Sequence, residues 1–157
     1  MALTYQDIRA KREQNEERRD RLINTVIKEA HELLIEYVES LELGSATWAD
    51  INGVNREYVE AGVMFGGEFK RYPLNSITLD DKYGARFAIA TVIDDTPRGG
   101  EIIPIGVYLY IRDGNVIVNI DNSNRPITVI QGENKYKNVC EEIKTQTLVA
   151  MNDPGLN

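Results

Sequence analysis

The sequence predicts an α+β fold: a long N-terminal amphipathic helix packed on an antiparallel meander sheet of about five to six strands, followed by a C-terminal helix. Three observations carry that prediction. Apolar residues recur at three- and four-residue steps from Leu22 to Leu41, the period drops to two after Gly44, and Asp113-Gly114 is a two-residue hairpin turn.

The first helix opens at Thr4, where Thr4-Tyr5-Gln6-Asp7 has capping-box spacing with Asp in place of Glu or Gln. Between Arg9 and Arg21 only Ala10 is apolar, so residues 1–21 read as a polar helical extension without a face to bury. Beyond it, Ile23, Val26, Ile27, Ala30, Leu33, Leu34, Tyr37, Val38 and Leu41 form a wide apolar stripe. Gly44 supplies the stop, which predicts a helix over 22–43 and a single α+β domain over 22–151. Glu36, Glu39 and Glu42 occupy the last turns, where the helix macrodipole favours cations. That break with local preference makes the face of Glu32, Glu36 and Glu39 a candidate partner-binding surface, weighed against the plainer account of glutamates solvating an outer face.

Strands are expected at 56–65, at 68–79 with a break at Pro73, and at 85–93, 103–112, 115–120 and 127–130. Gly66-Gly67, residues 80–84 and residues 94–100 punctuate them as turns. The intervals are too short for crossover helices, so the sheet should be antiparallel. Pairing outward from Asp113-Gly114 sets Ile111 against Val116, Leu109 against Val118 and Val107 against Ile120 on one buried face. Alternation also turns Phe87, Ile89, Thr91 and Ile93 inward. The small Ala88 and Ala90 fall on the opposite face, with room for the C-terminal helix, a second subunit or a ligand. Residues 133–151 read as that helix, with Tyr136, Val139, Cys140 and Ile143 on one side, and 152–157 as a flexible tail.

Composition excludes several function classes. No apolar run approaches the ~20 residues that span a bilayer, and the charged N-terminus does not suit a secretory signal. The single cysteine forms no internal disulfide and fits a reducing cytoplasm, so a cytoplasmic protein without membrane association is expected. A net charge of −7 argues against nucleic-acid backbone binding, which needs clustered Lys and Arg.

Catalytic and metal chemistry find little support. His31 is the only histidine and stands at the edge of the apolar stripe, while Cys140 sits in the apolar pattern of the last helix. Nucleotide-phosphate loops of the Gly-x-x-x-x-Gly-Lys-Ser/Thr and Gly-x-Gly-x-x-Gly kinds are absent from the sequence. Asp50-Ile-Asn-Gly-Val-Asn55 lacks the glycine and glutamate spacing of a calcium loop and reads as a side-chain-bonded turn. Asp80-Asp81 and Asp94-Asp95 are more economically turn formers than magnesium ligands. No catalytic residue, metal ligand or cofactor is therefore assigned.

The expected function is a non-enzymatic acidic protein-binding module, such as an inhibitor, an immunity-type protein or an adaptor. The alternative is a binder of a small, nucleotide-like molecule on the second sheet face. There Tyr108 and Tyr110 would stack on a base, Arg112 would take phosphate, and Asn115 and Asn119 would read polar edges, with Arg86 and Arg98 contributing from neighbouring segments. Tyr108, Tyr110 and Ile117 on that face also predict a homo-oligomer.

Overall fold

The computed structural model describes residues 2–156. Helix α1 (Tyr5–Ser40) runs unbroken through the polar and amphipathic halves of its sequence. Thr4 and Asp7 close the capping box reciprocally, through side chain and backbone. The free first turns are supported by i,i+4 pairs, Arg9 with Glu13 and Arg12 with Glu16. The helix ends short of the expected residue 43, because Glu42 already takes a left-handed conformation, at φ +57°, before Gly44 does so at +60°.

A small hairpin comes next, β1 (Trp48–Ala49) with β2 (Asn55–Arg56), which the periodicity does not reveal. The main sheet contains β3 (Val59–Phe65), β4 (Glu68–Arg71), β5 (Ala85–Val92), β6 (Ile102–Arg112), β7 (Asn115–Ile120) and β8 (Ile127–Thr128). Every pair in it is antiparallel, in the order β4-β3-β5-β6-β7-β8. The β6–β7 register is the one expected, and both turn residues have positive φ, 51° at Asp113 and 78° at Gly114. One step departs from a strict meander. β4 lies at the rim outside β3, so residues 72–84 must travel back to start β5 beside β3. Pro73 ends the expected 68–79 strand, and a 3-10 turn at Leu74–Ser76 carries Leu74 and Ile77 into the core under α1.

Helix α2 (Lys137–Ala150) begins four residues later than expected, because Gly132 and Asn134 adopt positive φ and form a turn ahead of it. It does not cover Ala88 and Ala90. Val139, Cys140 and Ile143 join Val26, Ala30, Leu33 and Tyr37 of α1 on the sheet face of Phe87, Ile89, Val107, Leu109, Val116 and Val118. The reason is parity: the apolar positions of all three central strands point to one side, and both apolar helix faces are buried there. Among the described residues the opposite face carries no helix. Ala88 and Ala90 are nonetheless fully buried. They stand in rows with Gly62 and Gly106, and with Glu60 and Pro104, and larger side chains lean over these rows. A Cβ on Gly62 would strike the Lys70 backbone first and then Phe69, and one on Gly106 would strike Asp121.

Candidate functional site

The open face holds a cleft of about 810 Å³ lined by Asp80, Asp81, Lys82, Arg86, Tyr108, Tyr110, Ile111, Arg112 and Asn119. Strand register builds it. Arg86, Tyr108 and Asn119 are direct neighbours across β5, β6 and β7, while Tyr110 and Arg112 follow Tyr108 at two-residue steps on the same face. The loop of residues 80–84 supplies one wall.

Tyr108 is the fixed point of this arrangement. Its hydroxyl donates to Asp80 Oδ2 at 2.7 Å, and the Arg86 guanidinium lies 4.2 Å from its ring centroid. Tyr110 sits beside it, centroids 5.3 Å apart and planes tilted by 33°. A glycine is needed at position 84 because a Cβ there would fall on the Tyr108 ring. Asp80 also accepts backbone N–H bonds from Lys82 and Gly84 through Oδ1. The Tyr108 bond above all, and then these two, hold the Asp80 carboxyl below its usual range. Burial, reinforced by Asp80, pushes the Tyr108 phenol up to about 12. The proton between them therefore stays on Tyr108. Lys82, Arg86 and Arg112 form no ion pair within 4 Å among the described residues.

Of the ligand-binding residues expected from sequence, Tyr108, Tyr110, Arg112, Asn119 and Arg86 share this cleft. Asn115 pairs with Arg112 at the strand end but is not in the lining. Arg98 stands apart. It lines a separate hollow of about 370 Å³ with Trp48, Asp50, Arg56, Glu60 and Val92, because β5 carries the residue 94–100 loop to the far end of the sheet from Arg86. Asp80, Asp81 and Lys82 were legible only as turn formers, and nothing local in the sequence says that this turn folds over Tyr108.

The glutamate face is engaged within the chain. Lys135 Nζ reaches both Glu29 oxygens at 2.9 Å and Glu32 Oε2 at 2.6 Å. Tyr136 donates its hydroxyl to Glu29 at 2.6 Å and its backbone N–H to Glu36 at 3.0 Å. The unfavourable glutamate of α1 is thus a favourable anion at the N-terminus of α2. Reciprocally, Lys144 of α2 donates to the Ser40 carbonyl at 3.1 Å, the cation that the last turn of α1 lacks. Of the three expected partner-binding residues, Glu39 is the exposed one. Glu29 escaped the sequence reading, although a carboxylate within the stripe between Val26 and Leu33 was a usable signal. It is 8% exposed.

The remaining candidates have structural partners. His31 Nε2 is hydrogen-bonded to Asn75 Oδ1 at 2.6 Å, tying α1 to the residue 72–84 connection. Cys140 is buried, and that burial, followed by the charge of Glu36, pushes its thiol up to about 12. Asp50 accepts from the backbone of Asn52 and Val54 and from Arg56, as a turn-forming aspartate does. Asp94 accepts from Thr96, and Asp95 from the Tyr58 hydroxyl. Among the described residues no cluster of three His, Cys, Asp or Glu side chains is placed to hold a metal ion, and no helix is long and apolar enough to cross a membrane. No family model, no curated protein and no solved structure matches the chain.

Proposed function

We propose that this protein is a non-enzymatic binding module that recognises an anionic partner through the cleft of Tyr108, Tyr110 and Arg112. One observation carries the reading. In a chain of net charge −7, Lys82, Arg86 and Arg112 gather beside an aromatic pair on the sheet face that no described helix covers. They outnumber the carboxylates of Asp80 and Asp81 in the same cleft, and form no ion pair within 4 Å among the described residues. Such a concentration runs against the overall charge and concentrates the local field on an anion. The acidic-face form of the reading, with Glu32, Glu36 and Glu39 facing a basic protein, loses support because Glu32 and Glu36 already bind Lys135 and the Tyr136 backbone. An inhibitor, immunity-type or adaptor role through the cleft would require an acidic segment of the partner as the complementary surface.

A nucleotide-like small molecule is the second reading, favoured by the size of the cleft, which lies within the range typical of small-ligand sites. A second copy of the chain competes for the same face, as the pattern of Tyr108, Tyr110 and Ile117 leads one to expect. The test is a thermal-shift series with phosphorylated and acidic ligands, run on the wild type and on Tyr110→Ala/Arg112→Ala, with static light scattering in parallel. At least one anion should raise the wild-type melting temperature and leave that of the double variant unchanged, while the two unliganded proteins melt together. A dimer that falls apart in the double variant would assign the face to self-association instead.

A further inference from the structure

Resting on the binding-module reading, we infer that the cleft takes a small phosphorylated aromatic molecule of the nucleoside diphosphate class. Its ring would lie on Tyr110 and its phosphates among Lys82, Arg86 and Arg112. The division follows from what each side chain has left to offer. Tyr108 is spent: its hydroxyl is bound to Asp80 and the Arg86 guanidinium stands over its ring. Tyr108 is therefore a positioning residue that holds Arg86 in place. Tyr110 is the half-buried ring beside it, and its cross-strand neighbour Ile117 extends the apolar floor.

The cations are free in a complementary sense. The Arg86 guanidinium lies over the Tyr108 ring, 4.2 Å from its centroid, and forms no ion pair within 4 Å among the described residues, which leaves its N–H groups for acceptors; that fork suits phosphate oxygens. Arg112 and Lys82 add two more donors along the same cleft. Two carboxylates also line it. The oxygens of Asp80 are engaged by three neutral donors, the Tyr108 hydroxyl and the Lys82 and Gly84 backbone N–H groups, but its charge remains, so Asp80 and Asp81 together leave the three cations in excess by one. Asn119, exposed at the level of Tyr108, carries both a donor and an acceptor for the polar edge of a base. An acidic peptide matches the charge but not the architecture. β6 is paired on both sides, so no strand can add where the site lies, and the cleft has the volume of one small molecule.

Calorimetric titration of the full chain decides the matter, using ADP, GDP, CDP and UDP, each matching nucleoside, inorganic pyrophosphate and an octaglutamate peptide. At least one diphosphate should bind one per chain, with inorganic pyrophosphate weaker by roughly 5- to 150-fold, the worth of one base stacked on an aromatic ring. Tyr110→Ala should bring that diphosphate down to the pyrophosphate level without changing pyrophosphate itself, and Tyr110→Phe should retain binding. Arg112→Gln should weaken both. The inference is overturned if no diphosphate exceeds pyrophosphate, or if Tyr110→Ala binds like the wild type. Binding of octaglutamate alone, lost in Tyr110→Ala/Arg112→Ala, would overturn the ligand class and leave the binding module standing. Unchanged binding by the double variant would remove both.

Discussion

The hydroxyl of Tyr136 donates to the carboxylate of Glu29 across 2.6 Å, although the two residues are 107 positions apart in the chain. Tyr136 is fully buried, and burial followed by the Glu29 bond drives its phenol far above the ordinary tyrosine range. The pair anchors the junction between the two helices, and Lys135 completes it.

Removing that cation is the sharpest perturbation available. Lys135→Met leaves Glu29 and Glu32 without their ammonium partner, and breaking a largely buried ion pair from one side typically costs about 3–5 kcal/mol. Tyr136→Phe deletes one donor to Glu29 and should cost about 1–3 kcal/mol. Urea unfolding at neutral pH measures both. A Lys135→Met loss below 1 kcal/mol, on the order of an exposed pair, would show that the junction does not depend on its charge.

The same junction sets the response to pH. The Lys135 hydrogen bond holds Glu32 below its ordinary 4.5. A depressed carboxylate contributes stability above its unfolded value and loses it as pH falls through the folded one, so this contribution fades below 4.5. For Lys135, burial pulls downward, but the bonds to Glu29 and Glu32 together outweigh it and leave the ammonium above its ordinary 10.5. That contribution is complete below 10.5 and fades at higher pH. Unfolding free energy should decline below 4.5 and decline again above about 9, where the raised Cys140 thiol (ordinarily 9.0) and the raised Tyr108 and Tyr136 phenols (ordinarily 10.0) keep their protons only in the folded protein and add to the Lys135 loss. Lys135→Met should make both limbs shallower, leaving the acid dependence of Asp50, Asp80 and Asp94 and the alkaline dependence of Cys140 and Tyr108, and a pH profile parallel to the wild type would contradict this account.

Leu33 reports on the core itself. It is fully buried between α1 and the sheet, so Leu33→Ala should destabilise by about 2–5 kcal/mol. A measured loss below about 0.5 kcal/mol, the scatter of surface substitutions, would mean that the wrong helix face has been placed inside.

Gly84 tests the cleft without touching its charged groups. Gly84→Ala puts a methyl where the Tyr108 ring lies, so the ring must move and its bond to Asp80 must break. The Tyr108 phenol, pushed up to about 12 by burial and by Asp80, should then ionise at lower pH, as read by the ultraviolet absorbance of tyrosinate. Asp80→Ala should lower it as well, though part of the rise will persist because burial is the larger cause. An unchanged titration in Gly84→Ala would show that Tyr108 is not held by this loop.

The parts of the structure legible in the sequence are those fixed by short-range rules. The β6–β7 register follows from Asp113-Gly114 and alternation alone, and α1 follows from a capping box and a three-four period. What escaped depends on residues far apart in the chain. Ala88 and Ala90 announced a face but not its cover, since the side on which α2 packs is decided by apolar parity across three strands. Glu36 reads as a misplaced charge until Tyr136 arrives 100 positions later. The cleft was half legible: β6 displayed its tyrosines and arginine, whereas the loop that pins Tyr108 comes 28 positions earlier. Arg98 lies apart from the cleft because strand length, not residue type, carries it to the other end of the sheet.

The rims of the sheet carry a consequence for how copies of the chain meet. β8 is two residues long, and β4, at the other rim, is four residues with Glu68, Lys70 and Arg71 along it. Short, charged margins are poor templates for a further strand. Growth of the sheet from molecule to molecule, the usual route from an unpaired edge to aggregation, is therefore opposed at both ends, so the helix-free face can stay open to a partner while the chain resists polymerising.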